Sequence, residues 1–107
     1  MSKQHRLVRD NVPNILKGLG KTIKTRELNG IEYRASLKKK LEEEVEEYLN
    51  ASDNRQALTE LADMLEVIYA LSYSHGASIE ELYHTREHRR KEKGGFKKRT
   101  LLIDIKD

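Results

Sequence analysis

Arg55-Gln56-Ala57-Leu58-Thr59-Glu60-Leu61-Ala62-Asp63-Met64-Leu65-Glu66-Val67-Ile68-Tyr69-Ala70-Leu71-Ser72-Tyr73-Ser74-His75 is the stretch that decides the fold. Leu58, Leu61, Ala62, Met64, Leu65, Val67, Ile68, Tyr69, Ala70 and Leu71 put apolar side chains nearly all round a 3.6-residue wheel. An apolar run of this length without Gly or Pro is too long for an ordinary strand. The spacing predicts a central, largely buried helix. Ser52, Asp53 and Asn54 supply capping chemistry before it, and Gly76 suits its C′ position.

The neighbouring segments read outward from there. Between Ile31 and Leu49, Leu37, Leu41, Val45, Tyr48 and Leu49 recur at helical spacing, which predicts an amphipathic helix. Ser78-Ile79-Glu80-Glu81 has the form of a capping box opening a last helix that runs to about Lys93, where Gly94-Gly95 stops it. Asp10-Asn11-Val12-Pro13 reads as the start of a short first helix, ended by Gly18 and Gly20. Looser alternation at Thr22 to Leu28 and at Leu101-Leu102-Ile103-Asp104-Ile105 predicts short extended segments. The fold class expected is all-α, a bundle of about four helices, with residues 1–107 forming one domain.

Composition limits what such a bundle does. With 36% apolar and 36% charged residues in 107, the core is thin, and association into a homodimer or higher homo-oligomer is expected to compensate. The chain holds no cysteine, which excludes disulfides, zinc–thiolate sites and thiol nucleophiles, and a cytoplasmic setting is expected. No apolar run approaches the roughly 18 residues of a membrane span. Charge is segregated: five carboxylates crowd Glu42 to Glu47, and eight Lys/Arg lie between Arg86 and Arg99.

The carboxylates carry the chemistry. Each helical residue advances by about 100°, so Glu43, Glu44 and Glu47 share one side of their helix. Glu44 lies nearest the stripe of Leu37, Leu41 and Tyr48, whereas Glu46 is expected to point away. Glu60 and Asp63, three apart, sit about 60° round from one another, where their oxygens can converge. Taken alone, Glu42-Glu43-Glu44 is an ordinary solvated helix face. Glu60 and Asp63 change that reading because they interrupt an apolar surface. Burying unpartnered carboxylates costs several kcal/mol each, and a divalent cation removes that cost. The all-oxygen set of Glu44, Glu47, Glu60 and Asp63 favours Mg²⁺, with Mn²⁺ as substitute, over zinc or copper.

With these residues in hand, the chain resembles the MazG-like all-α nucleoside triphosphate pyrophosphohydrolases, the group that includes phosphoribosyl-ATP pyrophosphohydrolases. The resemblance is carried by Glu43-Glu44-Val45-Glu46-Glu47 and Glu60-Leu61-Ala62-Asp63, with Leu7-Val8-Arg9-Asp10-Asn11-Val12-Pro13 and Gly94-Gly95-Phe96 at the flanks. It implies Mg²⁺ held by Glu44, Glu47, Glu60 and Asp63, with Glu43 as a lesser contributor, and attack by water between the α and β phosphates of a nucleotide. Glu43 and Glu44 are the carboxylates nearest the chemistry. Within that reading, Arg9, Arg90, Lys91 and Lys93 are the candidate phosphate contacts.

Other classes fare less well. No Gly-x-x-x-x-Gly-Lys loop is present, against a P-loop NTPase. His84 and His88 stand four apart with Glu81 before them, but a di-iron bundle needs two Glu-x-x-His units. The rival from another class is a basic helical adaptor for nucleic acid or protein, with the acids merely solvated. Phe96 alone interleaves an aromatic with the C-terminal charges, a poor platform for stacking bases.

Overall fold

In a computed structural model, residues 5–106 are described, and four α-helices with no strand are found among them: α1 Val12–Gly18, α2 Gly30–Leu49, α3 Asn54–Ser74 and α4 Ile79–Lys93. The segments 22–28 and 101–105, expected to be extended, form no strand. Neither has a neighbouring strand edge on which to satisfy its backbone groups.

Local chemistry sets the helix limits. At α2, Asn29 accepts a hydrogen bond from the Glu32 N–H at 2.9 Å, and Glu32 accepts one from the Asn29 N–H, a complete capping box. Arg26 adds two hydrogen bonds to the same carboxylate, and with Asn29 it pulls the Glu32 carboxyl down to about 2. Asn29 is thus the N-cap of α2, one residue before the helix begins. Asp53 caps α3 by accepting from Gln56 N–H, while Ser52 donates twice to the Gln56 side chain, closing the short loop between α2 and α3. Gly76 adopts a φ of 80°, the left-handed conformation that ends α3 cleanly. Ser78 accepts from Glu81 N–H and opens α4, supplying one half of the expected box.

The hairpin of α2 and α3 is the body of the molecule, and α4 packs on α3 over a shorter length. Leu37 and Val67 are its buried apolar residues. Arg34 crosses from α2 to hydrogen bond Ser74 through both its hydroxyl and its carbonyl, which satisfies orphan acceptors at the end of α3. Between α3 and α4, the Tyr69 and Tyr83 hydroxyls meet at 2.6 Å with their rings edge to face. This tyrosine contact is structural, and Tyr73, one turn further along α3, is exposed.

One expectation is corrected here. α3 is not buried all round: Leu58, Leu61, Leu65 and Ile68 are exposed, with Val45, Tyr48 and Leu49 exposed on α2. The reason is architectural, because a two-helix layer with a partial third covers only one side of its central helix. The radius of gyration is 18.4 Å, against about 13 Å for a compact chain of this length, and the extents are 62 × 35 × 24 Å. No helix is long and apolar enough to cross a membrane.

Candidate metal centre

α2 and α3 run side by side, so the carboxylates of the first half of α3 meet those of the second half of α2. Glu44, Glu47 and Glu60 each present a carboxylate oxygen within 4.8 Å of the other two. Glu44 is 6% exposed, on the same inward face of α2 as the buried Leu37, as the helical wheel anticipated. Glu47 is exposed and Glu60 is intermediate, so the cluster runs from the interior to the surface.

The electrostatics of this cluster are unresolved by protein groups alone. Lys40, one turn before Glu44, reaches one of its oxygens at 3.6 Å. Glu44 Oε2 and Glu60 Oε2 are buried with no hydrogen-bond partner. Glu60 is pushed up to about 7 from the ordinary 4.5, chiefly by the adjoining Glu47 carboxyl, then by burial, then by Glu44. Partnerless buried oxygens and a carboxyl that holds its proton are what a multi-carboxylate cation site shows before charge is supplied to it. Among candidate groups, the donor set is wholly oxygen and fits a hard divalent cation.

A pH dependence follows. A carboxyl whose folded-state value exceeds its unfolded value binds more protons when folded, so its contribution to stability falls as pH rises from about 4.5 towards 7. Thermal unfolding in EDTA is expected to show this decline, and Glu60→Gln to flatten it. Cation binding at pH 7 is expected to release on the order of half a proton, since a group with a value near the pH is about half protonated. Calorimetry in buffers of different ionisation enthalpy measures that release, and none at all would mean that Glu60 is an ordinary carboxylate.

The remaining candidates are distributed as follows. Asp63 is not within the three-carboxylate cluster; one of its oxygens accepts a 2.7 Å hydrogen bond from Arg9 Nη2. Glu43 is exposed and lines a recess with Glu46, Glu47, Asn50, Gln56 and Glu60. Glu46, expected to point away, is therefore at the lip of the same recess. Its direction on the α2 wheel is outward, but Asn50 after α2 and Gln56 at the start of α3 line the recess with it. Arg90, Lys91 and Lys93 are exposed in the last turn of α4, and none is ion-paired among the described residues. His84 and His88 are exposed, with His88 3.2 Å from Glu92.

Asn50, Gln56 and Lys40 were not singled out from the sequence. Lys40 was legible, because a Lys four residues before a Glu on one helix is a neighbour by construction. Asn50 and Gln56 were not, since their approach to Glu60 depends on the path of the α2–α3 loop.

Comparison with known proteins adds the decisive observation: a family profile described as phosphoribosyl-ATP pyrophosphohydrolase matches residues 16–90. The chain belongs to that MazG-like family. The matched residues contain α2, α3 and the carboxylates Glu43, Glu44, Glu47, Glu60 and Asp63, while Arg9, Lys91 and Lys93 lie outside them. An uncharacterized protein of Mycolicibacterium smegmatis is 46% identical over 54 residues, covering 50% of this chain and 54% of that protein. The chain thus matches about half the length of this curated relative. No solved structure matches the chain.

Proposed function

We propose that this member of the phosphoribosyl-ATP pyrophosphohydrolase family hydrolyses a nucleoside triphosphate, or a related nucleotide, between its α and β phosphates. The products are the monophosphate and pyrophosphate. The observation that carries the reading is the convergence of Glu44, Glu47 and Glu60, two of which, Glu44 and Glu60, each keep a buried oxygen without a hydrogen-bond partner. Residues 1–107 act as one domain, and clearing unwanted nucleotides from the pool is the role such an activity serves.

Glu44, Glu47, Glu60 and Asp63 would hold the cation, Mg²⁺ with Mn²⁺ as a substitute. Bound there, it supplies charge neutralisation at the phosphates and a more acidic water. The chain's own residues do the rest. Buried Glu44 anchors the site to the core, so that the geometry is held by packing and not by a loop. Glu43, which lines the recess beside Glu47 and Glu60, is the carboxylate we assign to orient the attacking water and take up its proton. Arg9 and the basic end of α4, with Arg90, Lys91 and Lys93, are assigned to the departing phosphates. A homodimer, or higher homo-oligomer, formed through the exposed stripe of α3 completes the bundle.

The position of bond cleavage tests this. Attack at the α phosphorus in ¹⁸O-water is expected to place the label in the nucleoside monophosphate, with pyrophosphate unlabelled and EDTA stopping turnover. A panel of nucleotides assayed for pyrophosphate release identifies the base preference. Label in orthophosphate, with a diphosphate as co-product, would overturn α attack. No turnover of any nucleotide, together with salt-dependent RNA or DNA binding lost in Arg90→Ala and Lys91→Ala, would favour the basic adaptor instead.

A further inference from the structure

Arg9 precedes Asp63 by 54 positions, yet its Nη2 donates to Asp63 Oδ1 at 2.7 Å. Among the described residues α1 packs on none of the other helices, and this ion pair ties the N-terminal arm to the α2–α3 hairpin. Its character is that of a weak and exchangeable contact. The two side chains are 57% and 33% exposed, and a single guanidinium nitrogen engages a single carboxylate oxygen. The bidentate fork that makes Arg–carboxylate pairs strong is absent here. The neighbouring carboxylates contrast with Asp63: Glu44 and Glu60 each keep a buried oxygen without a partner, whereas the charge of Asp63 is met by Arg9.

We propose that Arg9 is an exchangeable counter-ion for Asp63, paired with it in the cation-free protein and released to the phosphate chain of the substrate once Asp63 turns to the cation. The inference rests on the site reading under Proposed function and adds to it an order of events. A guanidinium and a dication compete for one carboxylate, and three further carboxylates on the dication's side decide the outcome. Freed from Asp63, Arg9 has five N–H donors, and a phosphate offers the two-oxygen edge that Asp63 does not use here. The arm that carries Arg9 is then held to the hairpin through bound substrate. Charge at the site stays balanced throughout, because the positive group leaves Asp63 as another arrives.

Calorimetric titration of the full chain without nucleotide separates this from a fixed supporting role. Arg9→Gln is expected to bind Mn²⁺ about two- to fivefold more tightly than wild type, the range that losing an exposed competing ion pair allows. In saturating Mn²⁺, the same variant is expected to bind pyrophosphate about tenfold more weakly, because a charge-assisted contact is gone. Arg9→Lys, which keeps the charge, should bind Mn²⁺ as wild type does. If Arg9 instead pins Asp63 as a supporting residue, Arg9→Gln will bind Mn²⁺ more weakly, and that overturns the exchange. Unchanged Mn²⁺ affinity, or unchanged pyrophosphate affinity, overturns it equally. A wild-type protein that binds no Mn²⁺ overturns the site reading itself, whereas wild-type binding without tightening in Arg9→Gln overturns the exchange alone.

Discussion

Glu44→Gln is expected to lower Mg²⁺-dependent hydrolysis by on the order of 10³-fold, since the charge neutralisation a cation provides is worth several kcal/mol of barrier and each 1.4 kcal/mol is a factor of ten. The substitution is nearly isosteric, so the volume filled at this buried position is kept. What it removes is a buried negative charge with one oxygen that no protein group satisfies. The variant should therefore unfold in EDTA at a temperature no lower than wild type, even though it also loses the 3.6 Å contact with Lys40. Mg²⁺ should raise the melting temperature of wild type and leave that of the variant unchanged. Activity within tenfold of wild type would remove Glu44 from the site. A large drop in stability without metal would show that its role is structural, held in place by Lys40.

Leu65→Lys is expected to convert an oligomer into a monomer. Leu58, Leu61, Leu65 and Ile68 repeat at the 3-4-3 spacing of a coiled-coil seam, and all four are exposed on α3. Covering this stripe with its counterpart on a second copy would supply a further layer of the bundle. In a two-fold interface each substitution counts twice, and losing about 1.5–3 kcal/mol of leucine burial per copy weakens association by 10²-fold or more. Sedimentation of wild type should give a mass of at least two chains at micromolar concentration, and Leu65→Lys a mass of one. A wild-type monomer at that concentration would remove the stripe as an association surface. Asp63, on the same helix but paired with Arg9, makes the contrast: losing its side chain sacrifices an ion pair and no apolar contact.

The helices were legible because their signals are local. Apolar spacing, the Asp53 and Ser78 capping residues and the glycine after α3 each act within a turn or two of where they stand. The same holds for half the candidate site: Glu44 and Glu47 share a face of α2 by helical geometry alone, and Glu44 faces inward because Leu37, Leu41 and Tyr48 do. That Glu60 then meets them needs only that two consecutive antiparallel helices pack through their apolar sides. Tertiary structure decided the rest. No pattern in residues 5–11 announces that Arg9 will reach Asp63, because the arm's path is set by a contact 54 residues away. Glu46 and Gln56 line one recess only because the loop between α2 and α3 closes as it does. The apolar girth of α3 read as burial, yet a wheel reports which faces seek cover and not how many neighbours one chain provides. With one full partner and one partial partner, α3 keeps a hydrophobic stripe in solvent.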